Sequence, residues 1–119
     1  MYNSDIFVAK SPLGYDVTCT VHQWNTHILP GHSELEHRED DVKSTIETPL
    51  KVYQSGIHTD RHIYFSYPNV KDGKNRYTKV VIGPTTLKTV YSVITAFDVK
   101  QVRKPDDKGV ILYDADQKS

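Results

Sequence analysis

The sequence predicts an α+β domain in which an N-terminal hairpin and two helices pack on an antiparallel sheet of four to five strands. Polar and apolar residues alternate at period two near the N-terminus and again after Pro49, which indicates strands. Helical spacing of apolar residues is confined to the segment between Trp24 and Glu47. This segregation of helices from strands is typical of α+β domains. The chain of 119 residues suits one domain, residues 1–119.

The first element is the hairpin. Residues 6–9 predict a strand, and Pro12 and Gly14 predict the turn that follows it. From Tyr15 to His22 apolar and polar residues alternate, which predicts a second strand with one apolar face.

Two helices follow. A short helical turn is expected from Trp24 to Leu29, where Pro30 and Gly31 interrupt it. The pair Ser33 and Glu36 has the spacing of a capping box and predicts a second helix over residues 34–47. Pro49 ends that helix, because the residue before a proline is disfavoured in the helical region.

The rest of the chain predicts the sheet. Strands are expected near residues 50–55, 61–67, 76–83, 89–97 and 109–113, separated by turns rich in Gly, Asp, Asn and Pro.

Charge is distributed unevenly along the chain. The formal net charge is zero, yet residues 1–50 carry 3 Lys/Arg against 8 Asp/Glu, and residues 51–119 carry 12 against 7. A basic C-terminal half fits a polyanion such as RNA, and a dipolar domain with balanced charges is the alternative.

Cys19 is the single cysteine, so no internal disulfide framework is possible, and a reducing compartment such as the cytoplasm is expected. We expect no signal peptide and no membrane association, since no apolar stretch approaches the length of a membrane span.

Four histidines, at positions 22, 27, 32 and 37, recur every five residues. On a helix this step rotates side chains by about 140°, so the imidazoles do not share a face and no metal site is expected. No cofactor is expected either, because the chain has no glycine-rich phosphate loop.

His32 and His27 are the candidates for proton transfer. His32 precedes the predicted helix start, where free backbone N–H groups favour an anion and a neutral imidazole; it is either a general base or a solvated loop histidine. His27 either converges with His32 through the break at Pro30 and Gly31 or is a half-buried structural histidine.

Cationic, phenolic and hydroxyl groups recur along the predicted strands. Arginine binds phosphate oxygens in a bidentate manner, and tyrosine can stack on a base, although tyrosine also favours strands for structural reasons. Thr95 lies within an apolar run and either bonds a neighbouring strand or faces a cleft. The candidates for RNA binding are Lys51, Arg76, Lys79 and Tyr67.

A series of short motifs occurs in a fixed order along about residues 20–113. They are Trp24, His27-Ile28-Leu29, His32-Ser33-Glu34-Leu35, the helix exit at Pro49, the strand from Arg61 to Tyr64, Val80-Val81-Ile82, and Val93-Ile94-Thr95-Ala96-Phe97. This order resembles the phage-associated branch of the barnase, EndoU, colicin and RelE-like (BECR) nuclease superfamily. A histidine-proline-glutamate element commonly opens the helix in that branch, and Ser33 replaces the proline here.

The resemblance implies a metal-independent endoribonuclease, of the toxin or effector type, that cleaves RNA by 2′-hydroxyl attack to leave a 2′,3′-cyclic phosphate. It implies His32 as base or acid and His27 as the second proton-transfer group or its orienter. Arg61 would clamp phosphate, Tyr64 would stack or relay a proton, and Thr95 would donate a hydrogen bond to a non-bridging oxygen. Such an enzyme implies an antitoxin or immunity protein as a partner.

The alternative is a catalytically inactive module of phage or mobile-element origin that binds RNA or protein. The near-neutral pI of 7.0 favours this alternative, because free ribonucleases are often more basic.

Overall fold

A computed structural model describes residues 4–103 and 110–117. Within those residues the chain forms eight strands and two short α-helices. The strands are β1 (Asp5–Lys10), β2 (Asp16–Thr20), β3 (Lys51–Gln54), β4 (His62–Phe65), β5 (Asn69–Lys71), β6 (Lys74–Pro84), β7 (Val90–Val99) and β8 (Val110–Asp114), and the helices are α1 (Val21–Gln23) and α2 (Glu39–Glu47).

The strands form one mixed sheet in the order β1-β2-β7-β6-β4-β3-β8, with β5 paired to β6 outside this path. Neighbouring strands are antiparallel except β2 and β7, which run parallel over three residue pairs, from Asp16 with Val90 to Thr18 with Ser92. The parallel pair joins the N-terminal hairpin to the rest of the sheet.

The predicted architecture of a hairpin and two helices on a four- to five-stranded antiparallel sheet was wrong. The hairpin does not pack on the sheet but forms its edge, and β5 and β6 form a further hairpin that the pattern did not indicate. Alternation identifies a strand but not its partner. The backbone groups of β2 are satisfied by β7, some 70 residues later in the chain.

The helical connection between β2 and β3 also differs from the prediction. The turn after Trp24 is present, because α1 continues directly into a π-helical turn over Trp24–Ile28. The predicted helix over residues 34–47 was wrong at its start: a 3₁₀ turn, Ser33–Leu35, is followed by His37 at φ 64°, and α2 begins only at Glu39. A left-handed residue cannot continue a right-handed helix, so the segment divides at His37.

Helix α2 covers one face of the sheet, where it contacts β1, β4 and β6. Val42 and Ile46 of α2 are fully buried against this face. Because side chains alternate along a strand, the residues between the core positions point to the other face. We refer to the two sides as the helix-covered face and the open face. None of the helices in the described ranges has the length and hydropathy to span a membrane.

Candidate functional site

The open face carries a row of alternating cations and aromatic rings. Lys51 pairs across the strands with Phe65, Phe65 with Lys79, and Lys79 with Phe97. The neighbours of these residues in sequence, Val52, Tyr64, Val80 and Ala96, belong to the core under α2. The row therefore lies on the open face, across four adjacent strands.

Lys79 is at the centre of this row. Its Nζ atom lies 5.3 Å from the ring centroid of Phe97 and 5.9 Å from that of Phe65, both within the range of a cation–π contact. Burial lowers the pKa of Lys79. The two rings thus hold an ammonium group that is partly shielded from water.

A second row, parallel to the first, contains Thr95. Here Tyr53 pairs with Ile63, Ile63 with Val81, and Val81 with Thr95. Thr95 and Phe97 are two residues apart on β7 and point to the same face. The register places the half-buried side chain of Thr95 on the open face.

Arg61 lies at the start of a third row, directly before β4. A Cβ atom at Gly83 would lie 3.8 Å from Cγ of Arg61 and only 2.7 Å from Cδ1 of Ile94. Glycine at position 83 therefore leaves room for both side chains over the sheet. The stem of the Arg61 side chain thus lies on the open face, beyond the row that contains Thr95.

His32 reaches the open face from the connection between β2 and α2. Its ring stacks on Phe97, with centroids 4.9 Å apart and an interplanar angle of 22°. Its Nδ1 atom is 4.0 Å from a carboxylate oxygen of Glu34, and the same oxygen accepts the backbone N–H of Asp98 at 3.3 Å. His32 is thus packed on Phe97, and a carboxylate that is itself bound to β7 lies near its ring.

His32 was selected because a helix was expected to begin directly after it. That reason was wrong, although His32 does lie at the open face. The helical turn after it is the three-residue 3₁₀ turn Ser33–Leu35, which is too short to provide a helix N-terminus for an anion. The imidazole is positioned instead by its stacking on Phe97.

Tyr64, a predicted catalytic residue, lies on the helix-covered face and is fully buried. Its hydroxyl contacts the hydroxyl of Tyr15 at 2.6 Å and also that of Ser11. Burial raises the pKa of Tyr64. Both contacts of its hydroxyl lie within the core. Tyr64 therefore cannot reach an RNA strand on the open face.

Three further predicted residues lie away from the open face. His27 is exposed on the π-helical turn, where its ring forms an edge contact with His22 at 6.1 Å rather than with His32. Arg76 and Tyr67 line cavities beside α2, behind the sheet. The open face therefore combines five of the nine predicted residues, which are His32, Arg61, Thr95, Lys51 and Lys79.

The sequence interpretation did not select Phe65, Phe97 or Glu34. Phe97 could have been found by alternation, because it is two residues from Thr95 and must share its face in a regular strand. Nothing in the sequence indicates that Glu34 contacts His32, since that contact depends on the 3₁₀ turn.

No family model, curated protein or solved structure matches this chain. The resemblance to the BECR nuclease superfamily therefore stays a prediction that depends on the motifs.

Metal ligation and thiol nucleophilicity are the two other kinds of chemistry relevant to the described part of the chain. It contains no group of three or more His, Cys, Asp or Glu side chains that could hold a metal ion. Cys19 is buried, and burial, followed by the charge of Asp5, raises the pKa of its thiol to about 12, so it is not an activated nucleophile.

Proposed function

We propose that the protein is a metal-independent endoribonuclease whose open face binds and cleaves RNA. The observation that carries the proposal is the contact of two groups with one ring: the imidazole of His32 and the ammonium of Lys79 both contact Phe97. Thr95 is two residues from that ring on the same face. An imidazole, a cation and a hydroxyl are the groups that phosphodiester transfer requires.

The proposed reaction begins with removal of the proton from a ribose 2′-hydroxyl by His32. The 2′-oxygen then attacks the adjacent phosphorus, and the bond from phosphorus to the 5′-oxygen breaks. The products are a 2′,3′-cyclic phosphate and a 5′-hydroxyl, which takes up one proton. DNA does not have the attacking hydroxyl, so only RNA is cleaved.

Lys79, rather than His27, supplies the second proton-transfer group in this proposal. The partly buried ammonium stabilises the negative phosphorane, and its lowered pKa makes it a better donor to the leaving 5′-oxygen than an exposed lysine. Thr95 donates a hydrogen bond to a non-bridging oxygen. Arg61 and Lys51 hold the phosphates on either side.

A ribonuclease of this kind must be inhibited in the cell that makes it. An antitoxin or immunity protein with an acidic surface would complement the cations of the open face and exclude RNA from it. The site of action is the cytoplasm of the producing cell or of a target cell, where RNA is available.

The direct test is incubation of the purified protein with RNA in EDTA, followed by mapping of the products and their termini. We expect cleavage with cyclic phosphate ends, reduced about 100-fold or more by His32→Ala, since a proton-transfer group contributes on this scale. Thr95→Val should reduce it less. The matched control is His58→Ala, because His58 is exposed in the loop before β4. Intact RNA, or equal activity of His32→Ala and His58→Ala, would refute the proposal.

A non-catalytic RNA-binding module is the second candidate. One observation favours it: His27 contacts His22, which leaves His32 as the one histidine that the described structure brings to the open face. In that case the protein shifts labelled RNA in a salt-sensitive manner and leaves it intact.

A further inference from the structure

A polar groove runs along the opposite side of the sheet, between α2 and the β5–β6 hairpin. It consists of two cavities of about 220 Å³ and about 190 Å³. Both are lined by Asn69 and Thr78, so they adjoin one another. We refer to them together as the hairpin groove. It contains Arg76 and Tyr67, the two RNA-binding candidates that the open face does not include.

One guanidinium bridges two of the carboxylates of the groove. Arg38 donates to Asp98 at 2.7 Å and to Asp41 at 2.8 Å. Burial acts to lower the pKa of Arg38, but its bonds to these two carboxylates raise it overall, so the guanidinium stays charged. Asp98 also accepts from the hydroxyl of Thr78 at 3.3 Å. Arg38 therefore compensates one of these two carboxylate charges, and Glu34 adds a third carboxylate to the groove.

Two cations of the groove are not engaged in this way. Arg76 is half-buried, and Lys71 is exposed on β5. Among the residues that the structure describes, neither forms an ion pair with a carboxylate. Both line the larger cavity, where three cations (Arg38, Lys71 and Arg76) against two carboxylates (Glu34 and Asp98) give a formal surplus of one positive charge.

The smaller cavity presents an aromatic ring beside this charge. Tyr67 is 52% exposed, whereas Tyr64 on β4 is fully buried and Tyr91 on β7 is half-buried. An exposed phenol ring next to a cationic cavity matches the two parts of a nucleotide, because a base stacks on the ring while the phosphate lies against the cations.

The groove also adjoins the candidate catalytic residues. Glu34 lines its larger cavity and is the carboxylate that lies 4.0 Å from His32. Asp98, on the same cavity, directly follows Phe97 on β7. An RNA strand that is bound on the open face at His32 therefore reaches the groove by passing around the end of β7.

We infer that the hairpin groove is a second nucleotide subsite, which holds an internal phosphodiester of the same RNA strand against Arg76 and Lys71 with the attached base on Tyr67. The inference rests on the proposed function for the identity of the ligand. The hairpin groove contacts only RNA substrates that are long enough to pass around the end of β7.

The test compares binding of 2′-O-methyl RNA oligonucleotides of increasing length, from a dinucleotide to an octanucleotide, which cannot be cleaved. For the wild-type protein we expect the affinity to rise when the strand becomes long enough to enter the groove. In Arg76→Gln the gain in affinity with oligonucleotide length should be about tenfold smaller. The number of counterions released on binding, measured from the salt dependence, should fall by about one. Tyr67→Ala should reduce the rise without changing the salt dependence.

Lys74→Gln is the matched control, since Lys74 is exposed on the same hairpin but does not line the groove. The inference is overturned if Arg76→Gln binds every length as the wild type does, or if it loses the same affinity for the dinucleotide as for the octanucleotide. If binding depends on length and on Arg76 but the protein cleaves no RNA, the endoribonuclease activity is refuted and the groove is supported as an RNA subsite. Absence of any RNA binding would refute both.

Discussion

The ring of His32 stacks on that of Phe97, although the two residues are 65 positions apart and belong to different layers of the molecule. Phe97 also contacts the ammonium of Lys79. A single aromatic side chain thus fixes the positions of an imidazole and a cation on the open face. If this face is a ribonuclease site, Phe97 positions both groups without touching the reacting atoms.

The role of Phe97 can be separated from simple packing. Phe97→Leu keeps an apolar side chain but removes the stacking surface, so we expect the single-turnover rate constant of RNA cleavage to fall about tenfold, because proton transfer depends on the placement of His32. Phe65→Leu is the control, since Phe65 contacts Lys79 but does not stack on His32. Single-turnover kinetics of both variants, each checked for an intact fold by thermal unfolding, measure the difference. Equal losses in the two variants would contradict a positioning role.

Lys79 should determine the alkaline limit of cleavage. Burial lowers its pKa, so the charged form is lost at a lower pH than for an ordinary lysine near 10.4. We expect the cleavage rate to decline as the pH rises through this lowered pKa, and the decline to be absent from the residual activity of Lys79→Gln. Lys51→Gln, at the other end of the row, should weaken RNA binding and keep the alkaline decline. A rate profile of Lys79→Gln with the wild-type alkaline limb would exclude the role.

Tyr64→Phe should destabilise the fold and leave the chemistry unchanged. The substitution removes a buried hydroxyl that contacts Tyr15 and Ser11, and a buried polar group without its partner costs about 1 to 3 kcal/mol. The free energy of unfolding, measured in urea, should fall by this amount while cleavage per folded molecule stays constant. A large loss of cleavage activity with unchanged stability would show instead that Tyr64 takes part in catalysis.

The stability of the protein should decrease in mild acid because of His62. Burial lowers the pKa of His62 in the folded state, and its Nδ1 atom lies 2.6 Å from the hydroxyl of Tyr15. The unfolded chain therefore binds a proton more readily than the folded chain. Stability is fully present above the unfolded pKa of about 6.5 and is lost as the pH falls through the lower folded pKa.

This loss can be assigned by comparing two variants across that pH range. The free energy of unfolding of His62→Gln should depend less on pH than that of the wild type, whereas His58→Gln, at an exposed position, should retain the wild-type slope. Identical slopes in all three proteins would assign the acid sensitivity to other groups.

The positions of most strands could be predicted, because alternation and turn residues are local signals. The strand expected near residues 76–83 is β6, and the one near residues 89–97 is β7. The break at His37 could not be predicted, since the capping-box pattern of Ser33 and Glu36 favours a continuous helix. Burial of Leu35 together with the ion pairs of Arg38 outweighs that local preference.

The candidate site was predictable only in part for a related reason. Residue type marks Arg61, His32 and Lys79 as chemically useful, and it marks Tyr64 and Arg76 equally well. Which of these groups share a surface depends on the face that each strand residue occupies, and a shift of one position in register reverses the face.

The sequence by itself determined most of the strand-forming segments, the presence of a helical connection and the types of side chain available for chemistry, because these depend on neighbouring residues. Only the tertiary structure decided that β2 pairs parallel with β7, that Tyr64 is in the core and that His32 meets Phe97 beside Lys79. Each of these contacts joins residues that are far apart in the chain. They form when burial of apolar surface and completion of backbone hydrogen bonds select one arrangement of the whole sheet.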